Sequence, residues 1–157
     1  MSDNAVAKLT LESLRQMLQQ SGYQVEVATD RVDHLSYLRS TSNGVSFAVH
    51  LGNPVPGDAH GFADAAFTAA IHVQGDFPFD IINNWNAQRR FCRLQRTPTM
   101  IVLCMDVSVA GGVTPDFLLV QIATWGRLIG ELITYLQEPN AGGVLVMAPR
   151  EPVACAD

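Results

Sequence analysis

The chain carries few of the residues and none of the short signatures that announce a reaction. Lysine occurs once, as Lys8, so phosphate cradling and Schiff-base chemistry have almost no residue to use. No GxGxxG, GxxxxGKS, HExxH, GxSxG or CxxC pattern is present. Three cysteines, Cys92, Cys104 and Cys155, are too few and too oddly numbered for a disulfide scaffold, which points to a reducing compartment. The N-terminus has no apolar stretch of signal-peptide length, and the run from Val144 to Ala148 is far too short to cross a bilayer. A cytoplasmic location without a membrane partner is the expectation.

Charge is also sparse, at 16% of residues, and its balance of −5 makes nucleic acid an unlikely partner. What the chain has in quantity is apolar side chains, 48% of 157 residues. A chain of this mass exposes about 7,700 Å² when folded from about 25,000 Å² when unfolded, enough for one sizeable core. One domain over residues 1–157 is therefore expected, with its core at about 11–137 and a tail at 138–157.

Leu11, Leu14 and Leu18 recur at helical spacing after Thr10, a capping residue, and predict a helix over Leu11–Gln20 that stops at Ser21-Gly22. Alternation then predicts strands over Tyr23–Ala28, Leu35–Thr41 and Val45–Leu51, the last two joined by Asn43-Gly44, a pair that tolerates the positive φ of a type I′ turn. Gly52 to Asp64 is rich in Pro and Gly and reads as a loop. A strand over Phe67–Gln74, a helix over Phe79–Phe91, and a hairpin of Cys92–Gln95 with Met100–Val109 follow. Gly111-Gly112 ends that arm, Thr114 caps the next element and Pro115 opens a helix reaching Gln137. Its apolar arc includes Phe117, Leu119, Val120, Leu128 and Ile133 beyond the main stripe, an excess that predicts cover by a second element or a second subunit and favours a homodimer. The run Val144–Met147 reads as an edge strand or as a peptide that docks on a neighbour. Adjacent strands with few helices between them predict an α+β fold, a single domain with a mainly antiparallel sheet packed against helices.

The histidines His34, His50, His60 and His72 lie apart in sequence, and pairing across a sheet can bring His50 and His72 to one polar face. A metal there needs a further ligand from Asp64, Asp76 or Cys92, so solvent-facing histidines and no metal are the expectation. Cys92 and Cys104 sit on neighbouring strands but read as small core residues. Asp30 with Asp33, and Asp76 with Asp80, read as turn carboxylates that serve local backbone donors. No catalytic residue and no cofactor is assigned.

The segment between Ile81 and Met105 holds Arg89, Arg90, Arg93 and Arg96 and no acid, giving it +4 while the remainder carries −9. These four arginines are the candidate interaction residues, suited to carboxylates and phosphates alike. Against that stands a structural role in which Arg89 or Arg90 pairs with Asp106 or a carboxylate of the last helix, Asn83 and Asn86 bond to strand ends, and Trp85 fills the core.

Ser21-Gly22-Tyr23, Asn83-x-Trp85-Asn86-x-x-Arg89-Arg90-Phe91, and Met105-Asp106 leading to Gly111-Gly112-Val113-Thr114 together resemble the YbjN-domain proteins over roughly Leu11 to Leu136. The resemblance implies a fold like that of type III secretion chaperones, which are small, acidic and commonly dimeric, with helices on one side of a curved antiparallel sheet. It also implies links to stress response and regulation without an established reaction. The leading expectation is a non-enzymatic, chaperone-like or regulatory homodimer that binds a partner protein or extended peptide. The rival is a small-ligand sensor or enzyme with a pocket between Trp85, the arginines and the loop Gly52–Asp64. A third reading, nucleic-acid binding through Arg89 to Arg96, predicts salt-sensitive affinity.

Overall fold

In the computed structural model the first helix, α1 (Leu11–Gln20), begins with a reciprocal cap: Thr10 Oγ1 accepts from the Ser13 amide and Ser13 Oγ accepts from the Thr10 amide, both at 3.0 Å. The structure describes residues 4–73 and 77–138. The run Val144–Met147, the strand end at Gln74, Asp76 and Cys155 lie outside them. After α1 come β1 (Glu26–Thr29), β2 (Ser36–Ser42), β3 (Val45–Pro54) and β4 (Phe62–His72). Then follow α2 (Phe79–Gln88), β5 (Arg93–Arg96), β6 (Met100–Ser108) and α3 (Pro115–Gln137).

The strands form one six-stranded sheet in the order β1-β2-β3-β4-β6-β5, antiparallel at every pairing. The β2–β3 turn is as expected: Asn43 and Gly44 have φ of 54° and 78°, and Ser42 faces Val45 across it. The start of α3 also matches its sequence signals, with the Phe117 amide donating to Thr114 Oγ1 at 3.1 Å and Pro115 in the first turn.

Alternation along each strand divides the sheet into two faces. Phe47 and Val49, Phe67 and Ala69, and Leu103 and Met105 share one core with Leu14 and Leu18 of α1, Trp85 of α2 and Trp125 of α3. Trp125 lies between Phe47 and Phe67, with ring centroids 5.8 and 5.6 Å away. All three helices cover this face. On the other face Ala70, Val102 and Cys104, with Met100 beside them, make a separate small cluster.

The structure corrects several boundaries. The loop expected over Gly52–Asp64 shrinks to 55–61, because Gly52 pairs with Asp64 and Pro54 with Phe62 in a continued β3–β4 ladder. Gly52 fits there since a Cβ would stand 2.7 Å from Asp64 Oδ1, and Pro54 is tolerated at the strand end. α2 stops at Gln88 rather than Phe91, and Phe91 itself takes φ 73°. β1 begins at Glu26 rather than Tyr23, which turns inward to meet Phe47 edge-on at 5.5 Å.

Part of the apolar excess of α3 is absorbed within the chain, since Leu128 is buried; Phe117 and Val120 stay 38% and 59% exposed. By length and composition α3 would suffice to cross a membrane, yet its main stripe lies on the sheet.

Candidate functional site

The link from α2 to β5 turns sharply and is fixed from both sides. Asn86 Nδ2 donates to the Leu94 carbonyl at 3.0 Å and its Oδ1 accepts from the Leu94 amide at 2.8 Å, so one side chain ties the helix to the strand. Between these anchors the Arg89 amide donates to the Trp85 carbonyl at 2.9 Å, and Phe91 is held in the left-handed region with its ring 66% exposed. A bulky non-glycine residue in that region costs roughly 1–2 kcal/mol, and such strain concentrates at functional sites.

Arg89 is locked in place. Its guanidinium lies 4.7 Å over the Trp85 ring and 5.7 Å from Tyr135, and its Nε is 3.4 Å from Glu131 on α3. The other Glu131 oxygen accepts from Arg127 at 2.7 Å. Arg90 stacks on Phe91 at 5.4 Å. Two shallow depressions of about 350 and 380 Å³ flank Glu131, lined by Arg89, Arg127 and Tyr135 on one side and by Arg90 and Phe91 on the other. The corner thus presents an exposed aromatic ring with the Arg90 guanidinium stacked on it, beside two further guanidiniums, Arg89 and Arg127, that share the Glu131 carboxylate. That combination suits an apolar anchor and the carboxylates of a partner.

Nearby groups are poorly suited to nucleophilic work. Burial pushes the Cys92 thiol up from its usual value, with the Trp85 indole pulling against it. Tyr135 is raised chiefly by burial, and its hydroxyl donates to the Ile81 carbonyl at 2.7 Å.

The four arginines do not form the single patch expected of them. Arg89 and Arg90 belong to the corner, whereas Arg93 lies on the opposite sheet face, paired with Asp106 at 2.6 Å, and Arg96 stacks over Phe79 at 4.6 Å. Alternation along β5 separates them. The structural roles read for Asn86, Trp85 and Arg89 are present, with the last-helix carboxylate being Glu131; Arg93, rather than Arg89 or Arg90, takes Asp106. Phe91 entered the sequence reading only as a motif residue and a helix end, and neither it nor Arg127 nor Glu131 by number was read as a site residue. The signal for Phe91 was an aromatic directly after two arginines at the end of a helix pattern.

The rival pocket does not assemble. Trp85 is fully buried, and loop 55–61 sits toward the start of α3, where Leu9 bridges Phe62 and Val6 bridges Val113. Cys92 packs against the helix-side core while Cys104 belongs to the other face, so they do not meet. His50 aligns with Ala66 and His72 lies six residues further along β4, roughly 20 Å away on the same face. Among the described residues no three His, Cys, Asp or Glu side chains are grouped to hold a metal. An acidic cleft of about 440 Å³ holds Asp30, Asp33, His50, Asp64 and Asp106. Its carboxylates already serve local donors: Asp30 accepts from the Val32 and Asp33 amides, Asp33 from Leu35, Asp64 from Asn53 and Asp106 from Arg93. A wider cleft of about 790 Å³ beside Tyr23, Gln24 and Ser40 is polar and open, unlike a small-molecule pocket.

A family model, YbjN, described as "Putative bacterial sensory transduction regulator", matches residues 10–138. The chain belongs to the YbjN family. Among solved structures it is similar to the crystal structure of YbjN from E. coli, described as "a putative transcription regulator". The two share 20% identity and a TM-score of 0.61, over 92% of this chain and 99% of that one, which shows a common fold. No curated protein matches the chain. The YbjN family description attaches regulation to this fold and names no reaction, and it places the α2–α3 corner inside the matched region.

Proposed function

We propose that this YbjN-family chain is a regulatory module that acts by binding a partner protein or an extended peptide at the α2–α3 corner, without turnover. The supporting observation is Phe91: an exposed aromatic held in a strained backbone conformation, with Arg90 stacked on it and Arg89 and Arg127 fixed beside it by Glu131. The partner segment pairs an apolar side chain with acidic neighbours. In this reading the protein is a cytoplasmic homodimer, with exposed Phe117 and Val120 of α3 as the contact between copies. A separate, chaperone-like mode, capture of a peptide by strand addition, would use the opposite sheet edge, β1, since Asn86 occupies the backbone of β5 at Leu94.

A photoreactive phenylalanine placed at position 91 tests this, with position 79 as control because Phe79 is equally exposed, at 68%. The reading predicts one reproducible cross-linked protein from position 91, diminished by Arg90→Ala. The same products from both positions, or none from position 91, would overturn it.

A further inference from the structure

β6 runs past the start of β5. Arg93 faces Cys104 at the last paired position, while β6 continues through Met105, Asp106, Val107 and Ser108, about 13 Å of strand. In an antiparallel ladder, successive residues turn their N–H and C=O groups to opposite neighbours. The Val109 amide donates to the Ala63 carbonyl at 2.9 Å, so the odd-numbered residues of β6 bond to β4. The Thr97 amide donates to the Met100 carbonyl at 2.8 Å, so the even-numbered ones face β5. Asp106 and Ser108 therefore aim their backbone groups at a stretch of the edge that β5 does not reach.

In register, Phe91 is the residue due opposite Asp106, but at φ 73° the chain leaves the sheet for α2 and no backbone hydrogen bond joins the two. Among the described residues, the amides and carbonyls of Asp106 and Ser108 have no backbone partner on this side, and both residues are exposed. The Asp106 carboxylate is held by Arg93 on the far face and leaves its own backbone open. Asn86 closes the β5 edge at Leu94, so the open stretch starts where that cover stops. The corner bounds this gap. The flank of α3 that brings Leu128 to Phe91 continues at helical spacing through Thr124 to Gln121, which lies over Val107. Arg90, exposed and paired with no carboxylate among the described residues, stands at the same end as Phe91.

We propose that the segment of another protein bound at the α2–α3 corner is extended and adds to the sheet here, antiparallel to β6 and in line with β5, its backbone bonded to Asp106 and Ser108; this rests on the corner being the binding site. Its residue opposite Val107 is apolar and points to the helix side, between Phe91 and the Thr124 flank of α3. Running in the direction of β5, the added strand meets the Phe91 link and leaves the sheet there, which brings its next residue, an acid, to the free Arg90 guanidinium. The β6 backbone supplies affinity for any extended chain, and Phe91 with Arg90 selects among them.

Amide hydrogen exchange on the full chain, read residue by residue by NMR, tests this. The probe is a synthetic peptide spanning the residue of the captured protein that cross-links to position 91. In the chain alone, the Asp106 and Ser108 amides should exchange fast and those of Met105 and Val107, bonded to β4, slowly. With the peptide bound, Asp106 and Ser108 should slow by about tenfold or more, while Val27 and Thr29 on the β1 edge stay unchanged. Ser108→Pro removes one edge amide and should weaken the peptide about tenfold, whereas Ser108→Ala, which loses the same hydroxyl, should not. Slow exchange of Asp106 and Ser108 in the chain alone, as when a second copy pairs there, would overturn the proposal. So would a bound peptide that leaves them fast or protects Val27 and Thr29 instead, and either result leaves the corner itself standing as the site. Capture of no protein at position 91 overturns the corner reading and the added strand with it. The wild-type exchange decides even if Ser108→Pro fails to fold.

Discussion

Asn86 and Leu94 exchange a pair of hydrogen bonds, amide to carbonyl and amide to carboxamide oxygen, so a side chain of α2 pairs with the backbone of the edge strand β5 as a further strand would. This protects the edge against pairing with another chain. Asn86→Ala removes both bonds and leaves the Leu94 backbone open. The expected cost is about 1–3 kcal/mol in urea unfolding, accompanied by concentration-dependent association in light scattering. Unchanged stability and unchanged light scattering would contradict this role.

Arg89 and Arg127 share Glu131 but not its importance to the fold. Arg127 is an exposed helix partner, worth at most about 0.5 kcal/mol, whereas Arg89 also stacks on the Trp85 and Tyr135 rings. Arg89→Ala should therefore lower stability by roughly 1–2 kcal/mol and Arg127→Ala by much less, measured by denaturant unfolding. Equal losses would show that the rings contribute nothing.

Burial holds the His50 imidazole below the ordinary histidine value, while Asp30 and Asp33 pull it back up. A base that binds its proton less well in the folded chain leaves stability unaffected well above pH 6.5 and lowers it as pH falls from there through the folded value. His50→Gln should flatten that part of the stability profile. In an NMR titration the His50 midpoint should lie below 6.5 and fall further in Asp30→Asn, because an attractive charge is gone. A rise in that variant would refute the assignment of causes.

Gly126 lets α3 approach the start of the sheet, since a Cβ there would stand 2.7 Å from Tyr23 Oη. The Asn43 carboxamide also donates to the Gly126 carbonyl at 3.3 Å. Gly126→Ala should destabilise by roughly 1–3 kcal/mol through overpacking, and Tyr23→Phe in the same chain should recover part of it, as thermal unfolding would show.

Much of the fold was legible in the sequence because its strongest signals are local. Asn43-Gly44, Thr114-Pro115 and the leucines of α1 each encode their geometry within a few residues, and all were placed correctly. The Gly52–Asp64 stretch misled because the Pro54–Phe62 pairing depends on a partner strand rather than on propensity. The candidate site was half legible. Four arginines in a row of residues announced charge, but the strand period sends Arg93 to the far face, and Glu131 reaches Arg89 from 42 positions along the chain. Phe91 looked like the end of a helix until its positive φ turned it outward.

The sharpest test separates the strain at Phe91 from its use. Glycine adopts φ 73° freely, so Phe91→Gly should leave stability unchanged or raise it by up to about 1 kcal/mol. The same variant should weaken the affinity for the partner captured at position 91 by about tenfold or more in titration calorimetry. Wild-type affinity in a Phe91→Gly chain that remains folded would contradict the account.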